Sequence, residues 1–147
     1  GYNKVGQVGN GTTGNINSPV QIGALTTWSK IGGLTASAIA IKTDGTLWAW
    51  GDNTYGQIGD GTTSVRNSPV QVGALTTWSK VGTTNYGALA IKTDGTMWVW
   101  GRNNYGQLGQ GNTTNYSSPV QVGGLTTWAQ VRNDNEGSAV LSIKTPN

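Results

Sequence analysis

The stretch Thr43-Asp44-Gly45-Thr46-Leu47-Trp48-Ala49-Trp50-Gly51-Asp52-Asn53-Thr54-Tyr55-Gly56-Gln57-Ile58-Gly59 opens on a turn, runs through a short apolar segment and ends in a glycine-rich loop. The Asp44-Gly45 pair lies between two apolar runs, Ala38–Lys42 and Leu47–Trp50. Asp-Gly in that setting predicts a β-hairpin, with a type I′ turn and φ > 0 at both central residues. Side chains alternate along a strand, so Trp48 and Trp50 share one face while Leu47 and Ala49 share the other. Both faces are apolar. Such a sheet must be covered on both sides, which stacked sheets do for one another. The loop Gly51–Gly61 contains G-x-x-G spacing, but no helix pattern and no GK[ST] follows it. It reads as tight turns rather than as a phosphate-binding loop.

Working outward, the same hairpin returns at Ile91-Lys92-Thr93-Asp94-Gly95-Thr96-Met97-Trp98. Trp28, Trp78 and Trp128 are spaced 50 residues apart, as are Pro19, Pro69 and Pro119. Residues 1–50 and 51–100 are identical at 32 of 50 positions. Pro19-Val20-Gln21-Ile22 and its copies begin with a residue that cannot donate to a strand ladder, which places them at a sheet edge. With the short run Trp28-Ser29-Lys30-Ile31, each period holds four strands, the content of a propeller blade. The expected fold is therefore all-β: β-propeller-type blades, built as three four-stranded antiparallel repeats over 1–50, 51–100 and 101–147 of one repeat domain. Three blades fall short of the four to eight of a closed ring. The third unit ends after Ser142-Ile143-Lys144 with no outgoing strand. The expectation is the C-terminal part of a longer chain, or a subunit whose ring or stack is completed by other copies.

Composition narrows the chemistry. Gly, Thr, Asn, Ser and Gln make up 77 of the 147 residues, which disfavours a helical bundle. Seven Trp disfavour a disordered chain of similar polarity. No apolar run approaches the length of a membrane-spanning helix, so membrane insertion is not expected. The absence of His and Cys removes the usual structural zinc site and the Ser–His or Cys–His nucleophile. Glu136 is the only Glu, and the Asp residues sit mainly in turns. No catalytic residue, cofactor or metal site is expected. Nine Lys and Arg against six Asp and Glu give a net charge of +3, scattered singly, which makes nucleic acid an unlikely partner.

The segment Asp44-Gly45 through Gly59 resembles the repeat of the regulator of chromosome condensation family, a D-G hairpin followed by W-G-x-N-x-x-G-Q-L-G. The pattern recurs at Asp94-Gly95 through Trp100-Gly101-Arg102-Asn103-Asn104-Tyr105-Gly106-Gln107-Leu108-Gly109, and in part over Gly1–Gly9. The resemblance implies β-propeller blades, usually seven to a ring. It also implies an activity class of nucleotide exchange or chromatin binding for eukaryotic members, while many bacterial and viral members are surface or structural modules. This chain carries Ser37 and Gly87 where the family often has His, so residues supporting exchange are not carried over.

Candidate binding residues come from positions that break the repeat, because blade packing does not fix them. Arg66, Tyr86, Tyr116 and Arg132 have the aromatic and guanidinium character of binding anchors. Asn133-Asp134-Asn135-Glu136 offers oxygens for calcium but lacks the spacing of a calcium loop. In-phase Asn3, Asn53 and Asn103, with Gln7, Gln57 and Gln107, read as amides that satisfy loop backbone. Lys42, Lys92 and Lys144 read as a solvated blade rim. The functional expectation is a non-enzymatic structural, adhesion or binding module of an extracellular or virion surface assembly. Its partners would be other proteins, copies of itself or glycans, with filament assembly one outcome. The alternative is a chromatin-binding or guanine-nucleotide-exchange propeller.

Overall fold

The computed structural model describes residues 1–24, 26–133 and 140–144, with 132–133 and 140–144 as backbone only. The first sheet contains β1 (Trp28–Gly33), β2 (Ser37–Lys42), β3 (Leu47–Gly51) and β4 (Arg66–Gln71), antiparallel and in that order. The second repeats it with β5 (Trp78–Thr83), β6 (Gly87–Lys92), β7 (Met97–Gly101) and β8 (Tyr116–Gln121). A third sheet holds β9 (Trp128–Asn133) and β10 (Val140–Lys144), two strands among the described residues, where the sequence predicts a blade short of its outgoing strand. Each four-stranded sheet takes three strands from one 50-residue unit and its fourth from the next.

Pro69 and Pro119 lie inside β4 and β8, the outer strands of their sheets, where a missing donor costs no ladder bond. Both strands start three residues ahead of the proline. The matching segment Pro19–Ile22 forms no strand, contrary to expectation. β4 and β8 pair with β3 and β7, and no Leu-Trp-Ala-Trp-type segment precedes Pro19 in this sequence to receive it.

The hairpins form where expected, but not as type I′ turns. Among the described residues none other than glycine has positive φ, so Asp44 and Asp94 do not adopt the geometry that type I′ demands. Gly45 N–H donates to the Lys42 carbonyl and Lys42 N–H to the Thr46 carbonyl, both at 3.0 Å. This is a three-residue loop, a type I turn followed by glycine at φ 80°. The Asp44 carboxylate accepts from both the Thr46 amide (2.9 Å) and its hydroxyl (2.6 Å), and these bonds hold its pKa below the usual carboxylate value.

Packing between sheets is asymmetric. Ile39, Ile41, Leu47 and Ala49 of the first sheet pack with Ile58 against Trp78, Ala88, Ala90 and Trp100 of the second. The opposite face of the second sheet presents Leu89, Ile91, Met97 and Val99 to Trp128 and Val131. Branched aliphatics on one blade thus fill the hollows between small and aromatic side chains on the next, which gives close packing without identical faces. Neighbouring sheets meet mainly through β1, β5 and β9, the arrangement of propeller inner strands.

The Gly-rich loop locks each blade to the following one. Trp100 Nε1–H donates to the Gln57 carbonyl at 3.0 Å, and Trp50 Nε1–H to the Gln7 carbonyl at 3.1 Å. A Cβ on Gly59 would lie 2.6 Å from Trp100 Nε1, so glycine is required for this approach as well as for its φ of +82°. Inside the loop, Asn53 is fully buried. Its amide nitrogen donates to the carbonyls of Thr62 and Ser64, each at 3.0 Å, while its oxygen accepts from Ile58 N–H at 2.9 Å. Asn53→Ala leaves these three backbone groups short of a partner, and is expected to destabilise by about 2–3 kcal/mol. A denaturant midpoint unchanged from wild type would refute this assignment.

Candidate functional site

The strand register decides which loops share an end of each sheet. Ser37 pairs with Gly51 and Ala38 with Gly33, so the turn 34–36 and the start of the 52–65 loop emerge together. Gly87 pairs with Gly101 and Ala88 with Thr83, which does the same in the second sheet. Four side chains from three of these loops converge: Tyr55, Tyr86, Arg102 and Tyr105.

The Arg102 guanidinium carbon lies 5.1 Å from the Tyr55 ring centroid, 5.7 Å from Tyr86 and 5.4 Å from Tyr105. Tyr55 and Tyr86 meet edge to face with centroids 5.2 Å apart. Tyr55, Tyr86 and Arg102 are half-buried, whereas Tyr105 is 82% exposed. Three ring quadrupoles therefore hold one cation at the surface. The backbone permits this through Gly101, at φ +97°, where a Cβ would stand 2.5 Å from the Tyr86 carbonyl oxygen. That same carbonyl accepts the Arg102 amide at 2.9 Å. The loop bearing Tyr86 is tied to the first sheet by Thr35, whose amide donates to the Asn85 carbonyl at 3.3 Å.

The first sheet shows what the repeat does without these residues. Gly51 has the same conformation, at φ +104°, and Asp52 N–H donates to Ala36 carbonyl at 2.9 Å. There Val5, Ala36 and Asp52 stand where Tyr55, Tyr86 and Arg102 stand one unit later. The counterpart of Tyr105 there is Tyr55, so the first sheet forms with three of the four cluster positions differently occupied.

Of the three singled-out residues whose side chains are described, Arg66, Tyr86 and Tyr116, only Tyr86 joins this cluster. Arg66 is an internal brace: its Nε donates to Asp60 Oδ2 at 2.6 Å and its Nη2 to Thr62 Oγ1 at 3.3 Å. Asp60 is partly desolvated, which raises its pKa, but bonds from Thr62 and Arg66 outweigh this and hold it below the usual value. The Tyr116 hydroxyl accepts from Asn112 Nδ2 at 2.9 Å, and its ring packs on the core. The Arg132 side chain, and the proposed calcium oxygens of Asp134, Asn135 and Glu136, lie outside the described residues. Tyr55, Arg102 and Tyr105 were missed because they fall within or beside the repeat motif itself. The signal was the x of W-G-x-N, which is Asp52 in one unit and Arg102 in the next.

Lys42 and Lys92 do not form a freely solvated rim. Lys92 Nζ sits 3.7 Å from the Trp98 ring centroid and 5.0 Å from that of Trp78, and Lys42 does the same over Trp48 and Trp28. Burial against the indoles lowers the Lys92 pKa, with Asp94 opposing it. Among the described residues, no group of three or more His, Cys, Asp or Glu is placed to hold a metal ion.

The regulator of chromosome condensation (RCC1) repeat model matches residues 44–91 and 94–133, and a second model of the same repeat matches 78–107. The chain belongs to the RCC1 repeat family. No curated protein sequence matches it. Human WBSCR16 is similar in structure, with a TM-score of 0.71 and 19% identity, over 88% of this chain and 35% of that one. Prp20p from Saccharomyces cerevisiae, studied for its binding to Gsp1p and histones, gives a TM-score of 0.75 and 15% identity over 84% of this chain and 33% of its own. Yeast RCC1 (Prp20) bound to Kap60 gives 0.65 and 14%, over 82% and 31%. This chain spans about a third of the length of those structures, and at such identities the likeness establishes the fold. Nothing in these comparisons supports a virion or cell-surface setting, glycan binding, self-completion or filament assembly.

Proposed function

We propose that this chain is a non-enzymatic binding module for protein partners, and that the end of the blades carrying Tyr55, Tyr86, Arg102 and Tyr105 is its contact surface. The observation that carries this reading is the convergence of three tyrosines and an arginine from three loops, at positions of which three carry Val5, Ala36 and Asp52 one unit earlier. Tyr and Arg are among the residue types enriched in binding hot spots, Tyr for large contact area at low entropic cost and Arg for its planar fork of donors. The structures of Prp20p, studied for its binding to Gsp1p and histones, and of yeast RCC1 bound to Kap60 support protein recognition as the use of this fold. A chromatin-binding or guanine-nucleotide-exchange propeller is the second reading, favoured by the histone and Gsp1p binding studied for Prp20p. Immobilised protein incubated with extract from its source is expected to retain a partner that Tyr86→Ala together with Tyr105→Ala releases. Retention unchanged in the double variant would place the contact surface elsewhere, and retention of histones or a small GTPase would select the second reading.

A further inference from the structure

Arg102 differs from the other well-placed arginine in having no anion. Arg66 is neutralised by Asp60 at 2.6 Å. Arg102 makes no ion pair among the described residues, and its Nε is buried without a hydrogen-bond acceptor. The three tyrosine rings hold the guanidinium by their faces, and a ring face accepts no conventional hydrogen bond. The guanidinium is thus held half-buried with no acceptor of its own, its Nε covered by the cluster, so that an incoming anion would meet the Nη side of the fork.

We infer that the Tyr55–Tyr86–Arg102–Tyr105 cluster is a receptor for a single carboxylate of a peptide segment, an Asp or Glu side chain flanked by apolar residues. This rests on the reading of the module as a protein binder and specifies the chemistry of the partner. A carboxylate matches the guanidinium fork in geometry and charge, and charge-assisted pairs of this kind are the strong ones. Partial desolvation by the rings strengthens the pairing relative to open water. Tyr105, largely exposed, offers apolar area for the residues on either side of the acid. A polyanion such as nucleic acid fits less well, because its affinity comes from many cations tracking many phosphates. Here one arginine stands among tyrosines, and the chain's positive charges are scattered singly.

The test pans random dodecapeptides displayed on phage against the wild-type chain and against Arg102→Asp in parallel. Asp is the residue at the equivalent position 52, so the backbone accommodates it. The expected result is that sequences enriched on the wild type share an Asp or Glu, and that this enrichment vanishes on Arg102→Asp. For the strongest selected peptide, made synthetically and followed by fluorescence anisotropy, three changes should each weaken binding about tenfold or more: Arg102→Asp, Arg102→Lys, and exchange of the acid for its amide. Thermal midpoints of both variants should stay at the wild-type value. Enriched peptides that lack an acid but still require Tyr86 would overturn the carboxylate assignment and leave the binding module standing. Enrichment that is absent, or indifferent to Arg102 and Tyr86 alike, would sink both. Tighter binding of a 20-nucleotide oligothymidylate than of any selected peptide would replace the peptide by a nucleic acid.

Discussion

Trp100→Ala is expected to cost about 3–5 kcal/mol, the largest loss for any single side-chain truncation in this chain. Trp100 is fully buried, at 0% exposure, between the first and second sheets. A tryptophan there removes roughly 150–250 Å² from water, or about 4–6 kcal/mol of gross transfer energy at about 25 cal/mol per Å². Truncation also leaves the Gln57 carbonyl without its indole donor and opens a void beside Ile58 and Ala88. Trp98 is the useful comparison. It lies two residues away on the same strand and face, yet it is only half-buried and capped by Lys92. Its replacement by Ala is expected to cost about half as much, in proportion to the area it hides. Equilibrium denaturation of both variants checks the pair. Equal losses, or a loss under about 1 kcal/mol for Trp100→Ala, would contradict the interblade core.

Gly95→Val is expected to destabilise by roughly 2–4 kcal/mol, through backbone strain and a steric overlap acting together. Gly95 has φ +79°, a conformation that a β-branched residue enters only at a cost. A Cβ there would lie 2.0 Å from the Thr126 carbonyl oxygen, which is main chain and cannot rotate away. The Gly95 carbonyl also accepts Trp128 N–H at 3.1 Å, so displacing the turn disturbs the entry to β9. Thr93→Ser, two positions earlier in the same exposed turn, should change stability by less than about 0.5 kcal/mol. The difference between the two midpoints is the measurement. Similar midpoints would mean that the turn is not held against the following segment.

Much of the fold was legible because the repeat displays its own pattern twice. Asp44-Gly45 and Asp94-Gly95 each separate two apolar runs, and hairpins form at both. The turn type was misread, since Asp-Gly is compatible with either a two- or a three-residue loop. The choice fell to Thr46 and Thr96, whose hydroxyls and amides hold the aspartates at negative φ. Trp48, Trp50, Trp98 and Trp100 are all expected from the sequence to be buried; Trp50 and Trp100 are, whereas Trp48 and Trp98 are half-buried. Their unequal burial was invisible, because Trp98 and Trp100 occupy the same face of the same strand. Which of them is enclosed depends on how far the preceding Gly-rich loop reaches over it. The lysines look like surface residues in any sequence reading, and only the register that brings Lys92 beside Trp98 shows the ammonium resting on the indoles.

The sequence by itself determined the all-β class, the 50-residue period, the edge position of the strands carrying Pro69 and Pro119, and the membership of the repeat family. Each of these is carried by local spacing that repeats. Tertiary structure alone decided the candidate site. Arg66 breaks the repeat and Arg102 fills the variable position inside its motif, and neither placement shows what the side chain meets. Arg66 meets Asp60 within its own loop and is neutralised. Arg102 meets rings contributed by Tyr55 and Tyr86, which lie 47 and 16 residues before it, and keeps its charge unpaired. The physical reason is that a side chain's role follows from what surrounds it, and those surroundings are assembled across blades.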